Sequence, residues 1–168
     1  HLGKPFVDFK GYVAVPKDKS HEHAVPVATG KANPVKWEIE MCRGPVREMT
    51  LRTGNALQYA QKELRAKAGE GIALKFENPD IMPHNFVLVA KGAEEKVSDL
   101  SAKMVAEPDG YARHYVPETA EVLCYSRMLD PGQTTIVYFN APKEPGRYTY
   151  LCSFPGHSQL MRGVLVVE

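Results

Sequence analysis

Three side chains near the C-terminal end stand at a spacing that suits a metal ion. Cys152, His157 and Met161 form a C-x4-H-x3-M array within Tyr150-Leu-Cys-Ser-Phe-Pro-Gly-His-Ser-Gln-Leu-Met161. A second histidine, His84, lies far upstream in Met82-Pro83-His84-Asn85-Phe86-Val87. A thiolate, two imidazoles and a thioether make up the ligand set of a blue-copper electron-transfer site, trigonal His2Cys with a weak axial Met. The soft sulfurs favour Cu(I) and the imidazoles suit Cu(II), so one geometry tolerates both oxidation states. Such tolerance keeps reorganisation small, which fast one-electron transfer requires.

Each of these residues also has a plainer reading. A lone Cys on a strand is usually a small buried hydrophobe, His84 could be a strand-end histidine, and Met161 could fill the core. The joint spacing favours ligands. Met41, Met49, Met104 and Met128 read as core, and Met82 as part of a surface patch. His21-Glu22-His23 could take a second metal but reads as a solvated segment, and His1 as a processing scar. His114 reads as a loop residue.

The elements that must position the ligands are mostly strands. From about Val46 onwards, candidate strands near 46–52, 56–66, 71–78 and 84–90 are separated by Thr53-Gly54-Asn55, Ala68-Gly69-Glu70 and Asn78-Pro79-Asp80. Residues 93–106 break the pattern: Val97, Leu100, Met104 and Val105 recur at helical spacing and predict one short helix. Strands resume near 121–128, 133–140, 146–152 and 162–167, with Asp130-Pro131-Gly132 and Glu144-Pro145-Gly146 as turns. The pattern predicts an all-β chain, a Greek-key β-sandwich with one short helix insertion. Residues 1–45 read as an N-terminal extension rich in proline, with strand-like runs at 6–15 and 36–41, and residues 46–168 as the main domain.

Composition excludes several classes. The chain has 168 residues, 43% hydrophobic and 24% charged, enough for a core without disulfides. A net charge of +1 supplies no strong field for nucleic acid or a membrane surface. No apolar run is long enough for a transmembrane segment, and the opening HLGKPFVDFKGYV has no signal-peptide core. Of three cysteines, Cys152 is claimed by the metal array, leaving Cys42 and Cys124 as one disulfide option. That pairing would fit an exported, oxidising compartment, although connectivity is not readable from sequence.

Residues from about 46 to 168 resemble the plastocyanin/azurin family of cupredoxins. The loop CSFPGHSQLM has azurin-type spacing, and GRYTYLC reads like the strand before it. The resemblance implies one type 1 copper held by His84, Cys152, His157 and Met161. It also implies that Asn85 reaches across to the backbone near Ser153 and locks the two ligand loops. One departure stands out: Pro83 occupies the place where azurins usually carry a glycine, giving a plastocyanin-like Pro-His-Asn triplet and a four-coordinate site. By the same resemblance His157 presents a ring edge to solvent within an apolar patch of Met82, Pro83, Phe154, Pro155 and Leu160. Expected partners are a redox-protein donor and acceptor, a c-type cytochrome being one option, in a bacterial periplasmic or exported setting.

Other functions fit less well. Copper enzymes of this kind wire a type 1 cysteine to a second copper through an adjacent histidine, but Cys152 is flanked by Leu151 and Ser153. A Cys-His hydrolase has no need of Met161. Copper delivery usually relies on Met-rich or Cys-x-x-Cys sequences, which are missing. An electron-transfer domain of a larger redox enzyme, with residues 1–45 facing another domain, stays as the main alternative.

Overall fold

In a computed structural model, residues 46–168 are described throughout, together with the backbone of three strands before them. Those three, β1 (Phe6–Phe9), β2 (Tyr12–Lys17) and β3 (Ser20–Pro26), form an antiparallel sheet in that order. The strand expected at 36–41 and the His21-Glu22-His23 side chains lie outside the described residues.

Two further sheets carry the site. One has three strands in the order β4 (Arg47–Arg52), β6 (Gly71–Glu77), β9 (Thr134–Asn140). The other has five, in the order β5 (Glu63–Ala66), β11 (Arg162–Val167), β10 (Gly146–Leu151), β7 (Val87–Val89), β8 (Val122–Tyr125). The pairs β4–β6 and β5–β11 are parallel and the remaining pairs antiparallel. Sequential strands that are not neighbours within a sheet are what the Greek-key expectation requires.

Alternation explains the packing. In β11, Leu165 and Val167 are buried while Val164 and Val166 are half-buried, so one face turns inward. Leu51 of β4, Leu74 and Phe76 of β6 and Val137 of β9 meet Val87, Val89 and Tyr150 of the other sheet in one hydrophobic cluster. Burying a side chain of this size contributes about 1.5–3 kcal/mol each before entropy is subtracted.

Several elements differ from expectation: the strand near 84–90 is only Val87–Val89 and that near 121–128 only Val122–Tyr125. The stretch 56–66 is strand only over Glu63–Ala66. Ala56 and Leu57 take φ of 58° and 55°, left-handed values that no strand can hold. That bend lets Tyr59 turn inward, where it is 1% exposed. The helix expected at 93–106 is α1 (Glu94–Lys103), followed by a 3-10 turn over Met104–Ala106. Glu94 and Glu95 in its first turn and Lys103 in its last suit the helix dipole.

Candidate metal centre

Each ligand candidate is placed by the end of a strand. His84 precedes β7 and bridges to Leu129, with His84 N–H donating to Leu129 O at 3.1 Å and Leu129 N–H to His84 O at 2.8 Å. Two residues on, Phe86 N–H donates to Ser126 Oγ at 2.9 Å and Ser126 N–H to Phe86 O at 2.8 Å. This stretch is therefore fastened to the residues after β8 before any metal arrives.

Cys152 follows the last residue of β10, and His157 and Met161 lie in the turn that leads to β11. Phe154-Pro155-Gly156-His157 is a type II turn: His157 N–H reaches Phe154 O at 2.9 Å and Gly156 has φ of 83°. The turn then closes on itself. Met161 N–H donates to His157 O at 2.8 Å, and Cys152 N–H donates to Met161 O at 3.1 Å. From outside, α1 braces it: Gln159 Nε2 donates to Glu95 Oε1 at 2.9 Å and Arg162 Nη1 to Glu95 Oε2 at 2.9 Å. Ser98 and Ser158 share a further hydroxyl contact.

Three donor atoms converge. Cys152 Sγ lies 3.7 Å from His84 Nδ1 and 3.7 Å from His157 Nδ1, and all three atoms lie within 4.8 Å of one another. The two imidazole rings are 5.1 Å apart. His84, Cys152 and Met161 are fully buried and His157 is 3% exposed. The ring edge expected at the surface is thus nearly closed, because His157 packs against Phe154 with ring centres 4.7 Å apart.

The electrostatics suit a cation. Burial pushes the Cys152 thiol up to about 12, even though the backbone N–H groups of Asn85 and Phe154 point at the sulfur and pull the other way. Burial, aided by His84, pushes His157 down to about 4, with Asp80 opposing. A neutral imidazole with a free lone pair is what a metal needs. A buried thiol that gives up its proton only to a positive partner is the other half of the same preference. The donor set fits a mononuclear copper ion.

Asn85 ties the two loops together. Its Oδ1 accepts Ser153 N–H at 2.8 Å, and its Nδ2 donates to Ser153 Oγ at 2.8 Å and to His114 O at 3.1 Å. Its own carbonyl accepts Tyr59 Oη–H at 2.7 Å. His114, in a loop at φ of 57°, accepts Met128 N–H on Nδ1 at 3.0 Å.

Around the pocket, Met82 and Leu160 are exposed, Pro83, Phe154 and Pro155 half-buried, and Ile81, which sequence reasoning passed over, is 87% exposed. Asp80 was missed as well. Its Oδ2 lies 2.7 Å from His84 Nε2, and that hydrogen bond, with one from Ile81 N–H, holds its carboxyl below the usual range. The only sequence signal was an Asp four positions before the histidine, hidden inside a turn motif. The disulfide option involves Cys42, which lies outside the described residues. Cys124 is buried in β8 among apolar neighbours, where a small hydrophobe fits.

A β-sandwich that gathers one thiol and two imidazoles in a buried pocket at its loop end defines a class of mononuclear metal protein. The family of copper binding proteins, plastocyanin/azurin family, matches residues 47–168. Auracyanin-A of Chloroflexus aurantiacus is 33% identical over 127 residues, covering 74% of this chain and 76% of that one. Its structure, described as a "blue" copper protein, superposes with a TM-score of 0.66 at 30% identity over 73% of this chain and 98% of that one. Azurin iso-2 of Methylomonas sp. strain J is 32% identical over 129 residues, 72% of this chain and 97% of its own. The chain belongs to the plastocyanin/azurin family of copper-binding proteins.

Proposed function

We propose that this chain is a one-electron carrier whose type 1 copper would be held by His84 Nδ1, Cys152 Sγ and His157 Nδ1, with the buried Met161 as a fourth ligand. The observation that carries the reading is the convergence of Cys152 Sγ on both Nδ1 atoms at 3.7 Å in a buried pocket. When bound, copper supplies the redox chemistry by cycling between Cu(I) and Cu(II). The chain's own residues exclude water and hold the donors still. His84 is fastened to Leu129, Cys152 and Met161 to the same closed turn, and Ser153 to Asn85. Ligands held this way move little when the charge of their partner changes, and that keeps electron transfer fast.

Several further parts belong to the same proposal. Cys152 is flanked by Leu151 and Ser153 and not by a histidine that would wire it to a second copper, which favours a carrier over an enzyme. Residues 46–168 are the copper domain and residues 1–45 an extension. Ile81, Met82, Phe154, Pro155 and Leu160 form the apolar surface next to His157 where a redox donor and acceptor dock, a small weak contact typical of redox encounters. Among the described residues no helix is long and apolar enough to cross a membrane, and an exported, periplasmic setting goes with the azurin-like relatives.

The test is a visible absorption and EPR spectrum of the protein after addition of Cu(II). An intense blue colour with a narrow copper hyperfine splitting, bleached by mild reductant and abolished in Cys152→Ser, is the expected result. A colourless protein with an ordinary copper signal would refute the ligand assignment.

A further inference from the structure

The imidazole of His84 is gripped from behind by a carboxylate. Asp80 Oδ2 lies 2.7 Å from His84 Nε2, while Asp80 Oδ1 accepts Ile81 N–H at 2.8 Å. Both oxygens are therefore engaged. The Asp80 side chain is only 17% exposed and His84 is fully buried, so water screens the contact little.

The turn that aims this carboxylate is itself fixed. Asn78 is fully buried and donates Nδ2 to Met82 O at 2.8 Å and to Leu129 O at 3.0 Å. Its Oδ1 accepts Thr53 Oγ1–H at 2.9 Å and Asp80 N–H at 3.1 Å. Leu129 is the same residue that brackets His84. One buried amide thus sets the distance between the carboxylate and the ring.

The consequence for the ring is definite. An acceptor at Nε2 places a ring proton there and makes Nδ1, which faces Cys152 Sγ at 3.7 Å, the nitrogen available to a metal. A carboxylate partner also raises the basicity of the ligating nitrogen. The two imidazoles of the pocket are consequently unlike: His84 is backed by an anion, and His157 is stacked on Phe154. An anion behind one ligand stabilises the more positive metal state more than the less positive one.

We propose that Asp80 is a positioning residue that holds His84 in its Nδ1-ligating form and, through its negative charge, biases the bound copper towards Cu(II), lowering the reduction potential. The inference rests on the copper reading given above. It concerns a side chain that touches neither the metal nor a partner.

The experiment compares wild type, Asp80→Asn and Asp80→Ala, each as the full chain loaded with copper, by spectroelectrochemical titration. Asparagine keeps an acceptor for the ring and removes the charge, whereas alanine removes both. At a fixed applied potential the Cu(II):Cu(I) ratio is expected to fall about tenfold in both variants, equivalent to a rise of about 59 mV for a one-electron couple. A second readout uses the zinc-loaded protein. The His84 Nε2–H proton should exchange slowly with solvent in wild type and Asp80→Asn, and fast in Asp80→Ala. A merely structural role would lower thermal stability without moving the potential of Asp80→Asn. A blue wild type whose potential is unchanged in Asp80→Asn, or a fast-exchanging Nε2–H in wild type, overturns the role of Asp80 alone. A wild type that never turns blue overturns the copper reading and this inference with it.

Discussion

Removing the side chain of Asn85 should loosen both ligand loops at once. Asn85→Ala deletes an acceptor for Ser153 N–H at 2.8 Å and donors to Ser153 Oγ at 2.8 Å and His114 O at 3.1 Å. The consequences are unequal. Ser153 Oγ and His114 O still have each other at 3.4 Å, whereas Ser153 N–H loses the acceptor that held it. Ser153 is 1% exposed, so water does not easily replace that acceptor. A buried donor left unmatched costs about 1–3 kcal/mol, and the two weakened contacts add to it, giving about 3 kcal/mol in all. Ser153→Ala is the control: it removes only the hydroxyl, keeps the N–H bond to Asn85 Oδ1, and should cost about 1 kcal/mol. Urea titration of the metal-free proteins, followed by far-UV circular dichroism, measures both without involving copper. The thermal midpoint of Asn85→Ala should fall by roughly 10 °C. The copper-loaded variant should show a shifted thiolate-to-copper band, since the Asn85 N–H that points at the sulfur sits on the loosened loop. A loss under about 1 kcal/mol with an unshifted band would refute the idea that this amide joins the loops.

Met161→Gln should keep copper bound and lower the reduction potential, because an amide oxygen is a harder axial donor than a thioether; cyclic voltammetry reads it, and an unchanged potential removes Met161 from the site. Burial, with help from Arg127, holds His114 down to about 4 against an ordinary 6.5, and its Nδ1 accepts Met128 N–H in the folded state. Between those values the unfolded chain binds the extra proton, so stability of the metal-free protein is intact above pH 6.5 and declines towards pH 4, by about 3 kcal/mol at most from this group; His114→Gln should flatten that decline, and an equally steep profile would refute it. Ile81 and Leu160 are 87% and 66% exposed beside the pocket. Ile81→Glu or Leu160→Glu should slow electron exchange with a redox partner in stopped-flow while changing stability by less than about 0.5 kcal/mol; wild-type rates should depend weakly on ionic strength, given the net charge of +1.

Much of the frame was legible because alternation and turn residues agreed. The expected strands 71–78, 133–140, 146–152 and 162–167 correspond to Gly71–Glu77, Thr134–Asn140, Gly146–Leu151 and Arg162–Val167. The cluster of His84, Cys152 and His157 was legible because Cys, His and Met at fixed spacing are rare together and sit on short turns whose geometry local sequence dictates. Legibility ended where a long-range contact overrode local pattern. Ala56 and Leu57 bend out of an apparently strand-like run so that the Tyr59 hydroxyl can reach Asn85 O. Asp80 looked like turn chemistry because Asn78-Pro79-Asp80 is turn chemistry, and its second role needs a folded His84 beside it.

The pocket sets two preferences against each other, and a cation would reconcile them. Burial makes the bare Cys152 thiolate costly, which is why its thiol is pushed up to about 12. Yet two backbone N–H groups are aimed at the same sulfur, and they favour negative charge there. Neither an ordinary proton nor an empty pocket satisfies both. A cation does: it neutralises the thiolate that burial disfavours and leaves the N–H groups a partially charged sulfur to meet. His157 adds the same demand, since burial pushes it down to about 4 and disfavours the protonated ring. Because the backbone at each of these residues is fixed by hydrogen bonds within the chain, the demand exists before the metal does. A pocket organised in advance gains little from rearranging when an electron arrives or leaves, so the same fixed residues that would favour a soft cation would also let it change charge in place.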